Sequence, residues 1–128
     1  MNNIENIVKR LKEETNNSDL YTYRKKIVCN KKLYIIYHDT LTSSDKISDF
    51  IIRSLDRINK LYHKKDNLEE VIFNEIDNFK IKKFTSFEEM SYYLNYGFTI
   101  LLLEGTTTHF ALETKRVLSR SISSPQTE

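Results

Sequence analysis

Ser86-Phe87-Glu88-Glu89-Met90-Ser91-Tyr92-Tyr93-Leu94-Asn95-Tyr96-Gly97-Phe98-Thr99-Ile100-Leu101-Leu102-Leu103 joins a helix directly to a buried strand. Ser86 followed by Glu89 is an S-x-x-E capping box, and the spacing predicts a helix from there through Tyr96. Gly97 stands where a left-handed helix terminator belongs. Phe98 to Leu103 is apolar at almost every position, the pattern of a strand covered on both faces. Just upstream, Phe79-Lys80-Ile81-Lys82 alternates as a strand does. Phe79 to Leu103 therefore reads as a β-α-β unit, which favours a right-handed parallel crossover.

The flanking sequence extends the same alternation of helices and strands. Leu33-Tyr34-Ile35-Ile36-Tyr37 is a second run apolar on both faces. Before it, Leu20 to Cys29 places Tyr21, Tyr23, Ile27 and Cys29 on one face and Arg24 and Lys26 on the other. Asn30-Lys31-Lys32 is short enough to close a hairpin between them. Ile4, Ile7, Val8 and Leu11 repeat at helical spacing, and Thr15 to Asp19 ends that helix with turn-forming side chains. Thr42 or Ser43 can cap a longer helix whose stripe runs Ile47, Phe50, Ile51, Leu55, Ile58, Leu61 and Tyr62. Asp66-Asn67-Leu68-Glu69 opens another, with Leu68, Val71, Ile72 and Ile76 inward. After Leu103, Glu104-Gly105 turns the chain and Thr108 to Thr114 returns beside it. The order α-β-β-α-α-β-α-β-β predicts an α/β layered domain with a mixed β-sheet packed by helices. That domain occupies residues 1–118, and the polar residues 119–128 read as a linker or truncated tail.

Composition narrows the function classes. The 128 residues are 39% hydrophobic and 30% charged, enough apolar surface for a core. The net charge of +2 gives no electrostatic drive towards nucleic acid. The longest apolar run is about five residues, too short to cross a bilayer, and no secretory signal is visible. Lys and Ile, at 14 each, and Asn far outnumber Ala, Gly and Pro, as an AT-rich genome would produce.

Few residues carry a chemical signature. His38-Asp39 at the end of a central strand pairs an imidazole with a carboxylate, but neighbours on a strand point to opposite faces, so a strand-end or capping role fits Asp39 better. His38, His63 and His109 lack metal-site spacing, and Cys29 has no C-x-x-C partner, so no metal and no cofactor are expected. Cys29 reads as a buried strand residue. Gly97 and Gly105 form no phosphate-binding loop. The basic runs Lys64-Lys65 and Lys80-Ile81-Lys82-Lys83 alternate with Asp66, Glu69, Glu70, Glu75 and Asp77 and read as solvated faces. Tyr92, Tyr93 and Tyr96 have the spacing of core packing with one ring exposed, against stacking on a base or ligand. No catalytic, cofactor-binding or metal residue is assigned, the ligand-binding residues are unknown, and the chain is expected not to be an enzyme.

Two stretches carry a family resemblance. Leu33-Tyr34-Ile35-Ile36-Tyr37-His38-Asp39-Thr40-Leu41, with Ile47-Ser48-Asp49-Phe50-Ile51-Ile52-Arg53-Ser54-Leu55, resembles the Y-I-D-G-L and I-x-E-x-I-L-x-P-L patterns near the start of A subunits of bacterial spore germinant receptors, the GerA family. Gly97-Phe98-Thr99-Ile100-Leu101-Leu102-Leu103-Glu104-Gly105 resembles that family's G-x-T-x-L-L-I-D-G strand and turn. The most specific match is Arg120-Ser121-Ile122-Ser123-Ser124-Pro125-Gln126-Thr127-Glu128, similar to R-S-I-x-E-P-x-T-E. Ser18-Asp19-Leu20 with Arg24 also fits the family's entry strand. Thr40 replaces a glycine, Glu104 an aspartate and Ser54 a proline, and Val117 or Leu118 stands where a tryptophan is usual.

The resemblance implies a soluble N-terminal region of two α/β subdomains followed by a multi-span membrane domain. This chain would be the first subdomain, cut before the second. The implied partners are that second subdomain and the membrane domain of the same chain, the receptor's B and C subunits, and other A subunits. The implied place is the spore inner membrane, with this soluble segment on the cytoplasmic, spore-core side. The implied function is nutrient-triggered germination through protein contacts and signal transduction, with an ion-conducting role proposed for the A subunit. Exposed faces of the Ile47–Tyr62 and Ser86–Tyr96 helices are the expected contact surfaces. A free-standing cytosolic interaction or adaptor module is the alternative. No nucleic acid is expected, and no small-molecule ligand is assigned.

Overall fold

The computed structural model describes residues 3–63, 67–76 and 80–117. Helix α1 (Ile4–Glu14) leads into strands β1 (Tyr21–Val28) and β2 (Lys31–His38). A helical rod follows, made of α2 (Ser44–Lys46), a π-helical segment (Ile47–Ile52) and α3 (Arg53–Leu61). Then come α4 (Leu68–Glu75), β3 (Ile81–Phe84), α5 (Phe87–Asn95), β4 (Phe98–Leu103) and β5 (His109–Glu113). The element order is the one that the sequence predicts.

Local chemistry accounts for the ends of these elements. The Ser86 hydroxyl accepts from the Glu89 amide while the Glu89 carboxylate accepts from the Ser86 amide, a complete capping box for α5. Gly97 (φ +85°) ends that helix, and Gly105 (φ +84°) turns β4 towards β5. Asn67 caps α4 by accepting from the Glu70 amide, one residue later than the box read at Asp66. Asp66 itself lies outside the described residues.

The five strands form one sheet in the order β1-β2-β4-β5-β3. The α/β layering is as expected, but the pairing is not mixed: all four neighbouring pairs are antiparallel. Strands β3 and β4 do run parallel, as a β-α-β unit requires, yet β5 lies between them and pairs with both. A tight hairpin delivers β5 beside β4, so the local antiparallel partner takes the position that a direct crossover neighbour would hold.

Helices cover both faces. On one face Leu33, Ile35, Leu101, Leu103, Phe110 and Leu112 pack against Ile47, Ile51, Leu55 and Ile58 of the rod and Leu68 and Ile72 of α4. On the other, Ile36, Ile100, Leu102 and Ala111 pack against α1 and α5 through Leu11, Met90 and Leu94. Successive residues of β2 and β4 therefore enter opposite cores. This is why both strands are apolar throughout.

The first hairpin departs from the expected phase. Its turn is Cys29-Asn30, both at positive φ (51° and 69°), and Lys31 already belongs to β2. Cys29 is buried, but in the turn and on the rod side, where its thiol lies 3.4 Å from the Tyr62 carbonyl. Tyr21 and Tyr23 pack on the opposite face, and Ile27 is exposed. Cys29 leaves the face of Tyr21, Tyr23 and Ile27 because the turn reverses the backbone before it can continue the alternation.

Candidate functional site

Three segments meet where the described chain leaves the sheet: the turn after β2, the Tyr96-Gly97 corner after α5, and residues Thr114 to Val117 after β5. The Ser43 amide donates to the Thr114 carbonyl (2.8 Å), and the Arg116 amide to the Leu41 carbonyl (2.9 Å). Thr42 and Lys115 form an isolated antiparallel bridge between these bonds. Gly97 packs into the junction so closely that a Cβ would lie 2.9 Å from the Leu41 carbonyl oxygen. The Lys46 ammonium donates to the Lys115 carbonyl (3.1 Å) and ties the start of the rod to the same strand. The exit strand is thus bonded to the backbone of Leu41 and Ser43 and to the Lys46 side chain, with Gly97 packed close by.

Depressions flank this exit strand on both sides. Thr40, Leu41, Asn95 and Tyr96 line the smaller one together with Lys115 and Arg116. The Tyr92 ring stacks at a tilt on Tyr96, 4.7 Å between centroids, and this neighbouring phenol raises the Tyr92 hydroxyl above its ordinary range. Leu41, Tyr92, Tyr96 and Val117 are four of the eight large apolar side chains exposed among the described residues. Their gathering around one strand makes a mixed apolar and basic surface of the kind that marks a protein contact. The larger depression, about 490 Å³, lies between the rod and the exit strand and is lined by Phe50, Val117 and several charged groups.

The residues singled out in sequence are placed as follows. His38 meets the Tyr21 ring edge-on, and its Nδ1 lies 3.0 Å from the Thr40 hydroxyl, while Asp39 accepts from the Thr22 hydroxyl. They do not pair, and no acid-base couple forms. His109 is fully buried, and its Nδ1 accepts from the Leu103 amide (3.0 Å), a structural role. His63 is exposed, and no group of three or more metal-ligating side chains occurs among the described residues. Of the tyrosines, Tyr93 packs against Phe84 and Phe98, whereas Tyr92 and Tyr96 are 59% and 51% exposed, so two rings face solvent and not one. The basic run from Lys80 divides: Lys83 lies over the Phe73 ring, and Lys80 lines the larger depression. Lys64, Lys65, Asp77 and Phe79 lie outside the described residues. Sequence reading missed the exit surface because its parts are scattered from Thr40 to Val117, and only the backbone bonds bring them together.

Comparison with known proteins fixes the family. Residues 6–128 match the Bacillus/Clostridium GerA spore germination protein family, and the chain belongs to it. A solved structure similar in fold is the N-terminal domain of the A subunit of the Bacillus megaterium spore germinant receptor GerK3, with a TM-score of 0.73 at 19% identity. The match covers 86% of this chain and 45% of that one, so this chain spans about half the length of its structural neighbour. No curated protein sequence matches the chain. No helix among the described residues is long and apolar enough to cross a membrane.

Proposed function

We propose that this chain is the first soluble subdomain of a germinant receptor A subunit and that it works by protein contact, with no catalysis of its own. Residues 1–118 form the subdomain and residues 119–128 the linker to a second one. Its partners are that second subdomain and the membrane domain of the same chain, the B and C subunits, and neighbouring A subunits. The receptor sits in the spore inner membrane with this segment on the cytoplasmic side, and passes a nutrient signal through these contacts.

The observation that carries the reading is the family match along nearly the whole chain. The exit surface supports it, because exposed apolar side chains cluster where the next part of the chain would begin. His38 and Asp39 bond to Thr40 and Thr22 and not to each other. The test is co-purification of the full-length subunit from spores with and without charge substitutions at Leu41 and Tyr96. Loss of the B or C subunit from the complex, with the A subunit still folded, supports the contact reading. Unchanged assembly and unchanged germination leave a passive spacer as the better account.

A further inference from the structure

Four surface cations on this chain have carboxylate partners within 4.0 Å among the described residues. Lys25 pairs with Glu5, Lys26 with Asp56, Arg53 with Asp49, and Arg10 with both Glu14 and Glu88. The larger depression beside the exit strand is distinguished by its lining, in which cations outnumber acids. Lys46, Lys80, Lys115 and Arg116 converge on it with Glu113 as the only acidic residue of the lining. Among the described residues, none of these four cations forms an ion pair within 4.0 Å. By contrast, the depression beside α1 is balanced, with Lys9 and Lys12 facing Glu5 and Glu13.

The backbone that carries these cations is fixed by hydrogen bonds. The Lys80 carbonyl accepts from the Glu113 amide (3.1 Å), the Lys115 backbone bridges Thr42, and the Arg116 amide is fixed on Leu41. Lys46 opens directly into the π-helical segment, which carries Phe50 to the same wall. Such π-turns are infrequent and often mark functional positions in helices. Like charges gathered on a fixed backbone repel one another, and an anion relieves that repulsion. A volume of about 490 Å³ suits a small molecule.

We propose that this depression is a binding site for a small multivalent oxyanion, one bearing several carboxylate or phosphate groups. Lys80 and Arg116 supply the charge, Lys115 borders the site with its ammonium 5.7 Å from the Tyr96 ring centroid, and Lys46 holds the strand that carries Lys115 and Arg116. Glu113 sets a limit on affinity, because its carboxylate opposes the ligand's charge. Phe50 and Val117 give the site an apolar side that favours a ligand with a compact carbon body over a bare ion.

The experiment is a titration of the 128-residue chain, followed by amide NMR, with pyrophosphate and with citrate as separate probes at constant ionic strength. The expected result is saturable shifts confined to Phe50, Lys80 and the Glu113–Val117 strand. K80Q and R116Q should each weaken binding by about tenfold, the loss of one charge-assisted contact, while E113Q tightens it. K12Q, on the opposite face, should leave affinity unchanged. Citrate binding more tightly than pyrophosphate assigns carboxylate chemistry and an apolar contribution, and the reverse order assigns phosphate. Shifts that fail to saturate, that spread over all surface lysines, or that ignore K80Q and R116Q would overturn the proposal. Since the probes act on this chain alone, that failure would leave the receptor reading untouched.

Discussion

The hydroxyls of Thr99 and Thr114 lie 2.7 Å apart in the buried end of the sheet, and the Thr114 hydroxyl also donates to the Gly97 carbonyl (3.1 Å). Each hydroxyl has one hydrogen. If Thr114 gives its hydrogen to Gly97, Thr99 must give its own to Thr114. The two side chains thereby join β4, β5 and the corner after α5 in one relay. Thr114→Val should strand the Thr99 donor and the Gly97 carbonyl, costing about 1–3 kcal/mol, whereas Thr99→Val loses a single bond worth about 0.5–1.5 kcal/mol. Urea unfolding of both variants and of the double variant checks the order. The double variant should cost less than the sum of the two.

Gly97 itself makes a sharper demand. Its φ of +85° is unfavourable for any residue with a Cβ, and that Cβ would press on the Leu41 carbonyl at 2.9 Å. Gly97→Ala is expected to lower stability by about 1–3 kcal/mol, while Gly105→Ala, where nothing lies within 4 Å, pays for backbone strain alone. Thermal melts of the pair separate crowding from strain.

The two-faced strands were legible because burial on both sides forces unbroken apolar sequence, as at Leu33 to Tyr37 and Phe98 to Leu103. Helix ends were legible where a side chain must satisfy backbone amides, as at Ser86 and Glu89. The insertion of β5 between β3 and β4 was not, since strand sequence records which faces are covered and not which edge is paired. The turn at Cys29-Asn30 was hidden because cysteine gives no cue to positive φ. The exit surface depends on long-range bonds such as Arg116 to Leu41, which leave no periodic trace.

Ile35 and Leu102 are fully buried in opposite cores. Ile35→Asp and Leu102→Asp should each abolish cooperative unfolding at neutral pH, because an unpaired buried carboxylate costs several kcal/mol against a total of about 5–15 kcal/mol. Near-normal melts for both would contradict the two-core arrangement.

Acid should weaken the fold partly through the α5 cap. The Thr85 amide, and after it the Ser86 hydroxyl, hold the Glu89 carboxyl below its ordinary value of 4.5. Bonds from Tyr34 first and Lys25 second do the same for Glu5. A carboxyl lowered in the folded state contributes fully above its unfolded value and loses that contribution as pH falls through the folded one. Stability should therefore decline as pH drops below about 4.5, and Glu89→Gln should flatten the decline. Denaturant midpoints measured across the acid range test this.

His109 offers a check that separates its ring nitrogen from its bulk. Its Nδ1 accepts from the buried Leu103 amide, so His109→Phe should leave that amide unpaired and cost about 1–3 kcal/mol. His109→Asn can return an oxygen near the Nδ1 position and should recover part of the loss. Hydrogen exchange at Leu103 reports the bond directly, fast in the phenylalanine variant and slower in the asparagine one.

The central claim is that this chain serves a germination receptor by contact through its exposed faces. The most direct measurement places Tyr92→Glu, Tyr96→Glu and Leu61→Glu in the full-length subunit and scores spores for subunit level and for response to nutrient. Each site is exposed, so the isolated fold should melt as before. The account predicts that the two substitutions beside the exit strand lower receptor assembly or delay germination while the fold stays intact. Normal assembly and normal germination in every stably folded variant would contradict it.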